Sequence, residues 1–263
     1  MTTLKPSIHT ALELSAGLLV FAFLGSGCKT VKREDSLTAV VVRQKGNARC
    51  SPNLGIWQEV KVGSEFSRCG WMIQTAADSF VDLIFLGHVP LASSSELPRV
   101  MARYLRPAPV SLLRVQQDSA VVLQTMTTRR SSNGWDHHGA KAIRINLVNG
   151  QVFVKTQQLV PHSSFETCTT NGVIRILDNK RGMPDAMFQC SNDGVVQVLD
   201  GAVEFMQHDP EVRVKIPSGN AFDVRTRMLT AVPEDDKPFI SCPGPGPGAP
   251  IPPAQFSLPA RKF

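Results

Sequence analysis

The sequence predicts an all-β protein, an antiparallel β-sandwich or a solenoid-like stack of hairpins, with one short inserted helix and an N-terminal signal helix. Three observations carry that expectation. Short runs rich in valine and isoleucine alternate apolar and polar residues, the two-residue period of a half-buried strand. Gly, Asn, Asp and Pro break these runs at short intervals, as in sandwiches and barrels. The dipeptides Asn149-Gly150 and Asp200-Gly201 sit between alternating runs, and Asn-Gly supplies the positive φ angles of a type I′ hairpin turn.

Taken along the chain, the first element is apolar, Leu14 to Gly27, followed directly by Cys28. A spanning helix needs about 20 apolar residues, and this stretch is shorter. Its small residues Gly25, Ser26 and Gly27 before a cysteine predict a bacterial lipoprotein signal, with residues 1–27 removed and Cys28 lipidated. An uncleaved signal anchor, or ordinary cleavage near Ser26, are the other two readings. All three place the body outside the cytoplasm, and the lipoprotein reading puts it in the periplasm, tied to a membrane through Cys28.

From Ser36 the strands begin. Thr38 to Arg43 is broken by Gly46-Asn47, Trp57 to Val62 ends at Gly63, Trp71-Met72-Ile73 follows Gly70, and Ser79 to Leu86 ends at Gly87. Between Glu96 and Arg106, residues Leu97, Val100, Met101, Tyr104 and Leu105 recur at helical intervals, which predicts the inserted helix. Strands resume at Val110–Val115 and Ala120–Met126, before a polar loop, 127–139, containing His137 and His138. Two hairpins are expected next, 143–154 about Asn149-Gly150 and 195–206 about Asp200-Gly201. Val212 to Ile216 follows, and Phe222, Val224, Thr226 and Met228 read as one closing strand. The body is thus expected over 36–232. Residues 233–263, with Pro and Gly alternating from Pro243, read as a disordered tail, because proline removes the backbone donor and glycine weakens order.

Chemistry is sparse. The 263 residues carry a net charge of +6 with 6% aromatics and no Lys/Arg block, which argues against a nucleic-acid partner. Adjacent His137 and His138 would face opposite ways on a strand, and no Cys-x-x-Cys completes a metal site. Cys69, between Arg68 and Gly70, resembles a cysteine nucleophile but has no upstream histidine beyond His9 in the signal. No catalytic residue, cofactor site or metal site is therefore expected. Of the cysteines after Cys28, Cys50 with Cys69 and Cys168 with Cys190 are close enough in sequence to be candidate disulfides on neighbouring strands, or else buried thiols.

Gly46, Trp57, Gly63, Gly70, Ile73, Thr75, Ser79, Val81 and Leu83, followed by Leu147, Gly150, Phe165, Thr169, Gly172, Val198, Gly201 and Val203, resemble the ordered pattern of the FecR domain. The resemblance spans about residues 38 to 228 and implies an all-β body with its Trp and alternating aliphatics turned to the core. Thr170 stands where that family carries Pro. It implies a non-enzymatic envelope lipoprotein whose partner is an envelope protein or polysaccharide. The alternative it implies is a divergent regulator signalling across the membrane to a sigma factor. About 13 residues precede the apolar stretch, too few for the cytoplasmic anti-sigma segment of the best-known members.

Overall fold

A computed structural model describes residues 34–52, 54–86, 110–129, 140–157, 159–207 and 211–232. The signal, Cys28, the expected helix at 96–106, the loop with His137 and His138, Cys242 and the tail lie outside the described residues. Within them the elements are β1 (Glu34–Ser36), β2 (Thr38–Lys45), β3 (Ala48–Pro52), β4 (Gln58–Glu59), β5 (Glu65–Phe66), β6 (Trp71–Thr75), β7 (Phe80–Leu86), β8 (Val110–Val115) and β9 (Ala120–Arg129). They continue as β10 (Ala140–Asn149), β11 (Gln151–Gln157), β12 (Ser164–Thr169), β13 (Gly172–Ile176), β14 (Ala186–Ser191), β15 (Val195–Gln207), β16 (Val212–Pro217), β17 (Asn220–Asp223) and β18 (Met228–Ala231). The expectation of an all-β fold holds.

Two hydrogen-bonded layers face each other. In layer A the order is β4, β3, β6, β9, β10, β12, β13, β15, β16, with β1 also on β9. Layer B runs β5, β2, β7, β8, β11, β14, β15, β17, β18. Every pairing is antiparallel except β10 with β12. Strand β15 belongs to both layers, in B through Val195–Val198 and in A through Ala202–Gln207, so the layers are parts of one curled sheet. The alternation read in the sequence becomes the core: Ile143, Ile145 and Leu147 of layer A, and Val152, Val154, Val196 and Val198 of layer B, turn inward and are buried. Phe85 meets Phe165 edge-on across the layers with ring centroids 5.9 Å apart, a geometry the aromatic quadrupole favours.

The expected hairpins at Asn149-Gly150 and Asp200-Gly201 are corrected. Strand β10 lies in layer A and pairs with β9 and β12, whereas β11 lies in layer B and pairs with β8 and β14, so Asn149-Gly150 is a corner between layers. Asp200-Gly201 is likewise a bend inside β15, at a bulge where Met187 pairs with Asp200 and Phe188 with Val198. Positive φ at Gly150 and Gly201 turns the chain out of one layer into the other. The same local signature serves a hairpin or a corner, and the partners available to the next strand decide between them. The expected single strand 222–228 is also corrected. It is the hairpin β17–β18, because the Asp223 carboxylate accepts the backbone N–H groups of Arg225 and Thr226 and folds the chain back.

The corners stack. Ser79 accepts the Asn47 N–H and donates to the Ala77 carbonyl, and Ser119 accepts the Gln151 N–H and donates to the Gln117 carbonyl. In both, an aspartate with positive φ, Asp78 or Asp118, precedes the serine, and the serine packs against a corner glycine, Gly46 or Gly150. Thr75 ties the two corners together by donating to the Gln116 carbonyl. These polar side chains are consumed in satisfying corner backbone that lacks a ladder partner.

Candidate contact surface

The cysteines are the candidate reactive groups of the sequence. Cys50, Cys69, Cys168 and Cys190 are free thiols in this structure, so neither candidate disulfide is formed. Cys50 points into the core of layer A while Cys69 is exposed in the turn before β6; Cys168 is half-buried in layer A while Cys190 is buried in layer B. Each pair thus sets a buried thiol against one that is exposed or half-buried, and Cys168 and Cys190 lie in different layers. Burial pushes the thiols of Cys50 and Cys190 up, Cys190 strongly, which keeps them protonated and inert. Among the described residues, no group of three His, Cys, Asp or Glu side chains is placed to hold a metal ion.

Two polar constellations were not anticipated. On the outward face of layer A, register aligns Arg144 of β10, Glu166 of β12, Arg175 of β13, Glu204 of β15 and Lys215 of β16. The row alternates in sign across five strands. Arg175 donates twice to one Glu166 oxygen, at 2.9 and 2.6 Å, and Arg144 lies 3.5 Å from the other. Arg144 also donates to the Cys168 sulfur at 3.0 Å. Both arginines stay close to half exposed, so the row is a solvated, charged surface whose ion pairs add little stability of their own.

Layer B differs on its outward face. Arg114 of β8 forms a two-pronged ion pair with Asp82 of β7, at 2.6 and 2.9 Å, with the two residues 8% and 3% exposed. Arg43 of β2 approaches the same carboxylate at 3.5 Å. The Phe80 ring lies under both guanidinium groups, at 4.7 and 4.8 Å. Val40, Ile84, Leu86 and Phe153, outside the core between the layers, are buried as well. The signal for this site was a single charge inside each of two apolar runs, Val81-Asp82-Leu83 and Leu113-Arg114-Val115.

The Trp expected to face the core also changes. Trp57 is half-buried beneath the Arg49 guanidinium, 4.4 Å from its ring centre. It is Trp71 that packs against the core, its ring 5.2 Å from that of Phe66.

One buried cation faces inward. Lys141 of β10 is 9% exposed, and its ammonium donates to the Phe85 carbonyl at 3.2 Å. Desolvation lowers its pKa from 10.5 to about 8. The unfolded chain then binds more protons between pH 8 and 10.5, so this residue makes stability rise with pH across that window. Lys141→Met is expected to stabilise the protein by about 1–2 kcal/mol at neutral pH and to flatten that rise. Denaturant midpoints measured across the window check both effects, and an unchanged slope would count against the assignment.

No family model matches the chain, and no curated protein matches it. The solved structures it matches include two crystal structures from Parabacteroides distasonis ATCC 8503, each described as a "putative anti-sigma factor". Their identities to this chain are 11% and 12%, both with a TM-score of 0.30. The alignments cover 46% of this chain and 49% and 50% of those, so the chain spans about half the length of the structures it matches.

Proposed function

We propose that the chain is a non-enzymatic cell-envelope protein that works by surface contact, with a FecR-like β body held at a membrane through lipid on Cys28. The partner is an envelope protein or polysaccharide. The observation that supports this reading is the exposed, alternating charge row of layer A, set on a sheet whose register holds all five side chains in line. The corner serines and Asp82 are occupied by the fold, the serines by backbone and Asp82 by Arg114. A rigid sheet face of this kind offers complementarity to a charged partner without the preorganised nucleophile and base of an enzyme.

Two outcomes are expected. Cys28→Ala should move the protein from the membrane pellet to the soluble fraction, and the wild type should incorporate labelled fatty acid; a variant that stays in the pellet counts against the anchor. In a deletion strain, Cys69→Ala and His138→Ala should complement fully, whereas Arg144→Glu with Arg175→Glu should fail although circular dichroism is unchanged. Loss of function in Cys69→Ala, together with turnover of a cell-wall peptide by the purified wild type, would replace this reading with an enzymatic one.

The second reading is a divergent FecR-type regulator that contributes to signalling towards a sigma factor. The FecR-like spacing of glycine, apolar and turn residues over the β body favours it. Transcription of a sigma-dependent reporter in the deletion strain separates the two: an unchanged reporter leaves the contact role alone.

A further inference from the structure

We propose that Arg49 anchors a binding site for an acidic saccharide on the outward face of layer A, a reading that rests on the contact role above and specifies its partner. Register sets Arg49 of β3 between Gln74 of β6 and Glu59 of β4. Alternation turns this row outward. Ala48 and Cys50, on either side of Arg49, are buried in the core, as is Ile73 beside Gln74. Trp57, two residues before Glu59, lies on the diagonal from Arg49.

Arg49 is held in place, yet its charge is not neutralised. Its guanidinium lies over the Trp57 ring, 4.4 Å from the ring centre, and its Nε donates to the Gln74 Oε1 at 2.9 Å. Gln74 is fixed in turn, its Nε2 donating to the Met72 sulfur at 3.6 Å. A guanidinium presents its donors in a rigid planar fork, and among the described residues nothing accepts from the two terminal nitrogens of Arg49. The carboxylate opposite it in register, Glu59, pairs with Lys61 at 3.1 Å instead. Other arginines differ: Arg144 and Arg175 share Glu166, and Arg43 and Arg114 share Asp82. Arg49 is exposed, so a planar carboxylate can take its two free nitrogens together. With the ring face and Nε already engaged, little side-chain freedom is lost on binding.

The surroundings select a sugar acid. An open cleft of about 320 Å³, lined by Asn47, Ala48, Arg49, Gln74, Thr75 and Ala76, adjoins the guanidinium and falls at the small end of ligand pockets. The amides of Asn47 and Gln74 each carry both donors and acceptors, which suits hydroxyl groups. A peptide would be read by adding a strand to an open edge, but β3 is already flanked by β4 and β6, and β6 by β3 and β9. Because Glu59 and Lys61 neutralise each other, one arginine remains to match one negative charge. A uronate carries one, whereas a phosphate monoester carries about 1.5 to 2.

The test is calorimetric titration of the purified full chain, in detergent at physiological salt, with trigalacturonate. It should bind, and the same trisaccharide with its carboxyl groups reduced to alcohols should bind about tenfold more weakly or worse. Arg49→Lys keeps the charge and loses the fork, so it should weaken trigalacturonate binding about tenfold. Gln74→Glu gives Arg49 a carboxylate of its own and should weaken binding as much, with an unchanged denaturation midpoint. Arg144→Glu with Arg175→Glu lies beyond the screening distance and should leave the affinity within about twofold. No binding by the wild type, equal binding of the reduced trisaccharide, or full affinity in Arg49→Lys or Gln74→Glu overturns the proposal. Equal binding of triglutamate overturns the saccharide class, and loss of binding in the Arg144 and Arg175 variant overturns the location. The contact role of the charge row is read separately, by complementation with that same variant, so the two readings fail independently.

Discussion

Asp82→Ala is expected to destabilise the protein by about 3–5 kcal/mol, the usual cost of breaking a buried ion pair by removing one partner. The reason lies in what remains. Arg114 keeps its charge at 8% exposure with Phe80 beneath it, and Arg43, formerly neutralised by the same carboxylate, becomes a like-charged neighbour. A double replacement, Asp82→Leu with Arg114→Met, removes both charges and keeps apolar volume, so it should cost far less than the single change. Guanidinium denaturation of the three proteins measures this. A single-variant loss below about 1 kcal/mol would mean that water reaches the pair as it reaches surface bridges.

Asp82 also shows where sequence reading stopped. The alternation of Val81, Leu83 and Phe85 correctly assigns the inward face of β7, because burial repeats every second residue. By the same pattern Asp82 reads as a solvated outward residue. Its burial depends on what lies over the outward face of layer B, which no period within one strand records. Trp57 and Trp71 are a similar case. Both follow turn segments and both are compatible with a core position, but only Trp71 stands beside Phe66.

Pairing was legible only in part. Strand positions followed from local alternation, whereas the identity of a neighbour is a long-range fact: Val152 of β11 pairs with Val115 and Cys190, far along the chain, and not with β10 across the adjacent Asn149-Gly150. Asp78-Ser79 and Asp118-Ser119 each open an apolar run, and the recurrence of that dipeptide marks two copies of one corner. The charge row of layer A was readable as outward basic residues, but its alternation in sign emerges only when register sets Glu166 between Arg144 and Arg175.

If the corners hold the layers together, two glycines with nearly the same backbone angle should respond very differently to alanine. Gly201 has φ +73 and Gly219 φ +75, so the left-handed conformation penalises a side chain equally at both, by about 1–2 kcal/mol. Around Gly219 an added Cβ meets nothing within 4 Å. At Gly201 it would run into the Asp185 carbonyl oxygen and lie 2.9 Å from the Ala186 Cα, both backbone atoms at the start of the neighbouring strand β14. Those atoms can retreat only by opening the Ala186–Gly201 pairing, where β15 leaves layer B for layer A. Overpacking of that kind adds about 1–3 kcal/mol. Gly219→Ala should therefore lose about 1–2 kcal/mol, and Gly201→Ala about 2–5 kcal/mol, read from denaturant midpoints at a common slope. Equal losses would show that the crossing strand tolerates a wider corner, and that the close approach of β14 to β15 is not what fixes the curl of the sheet.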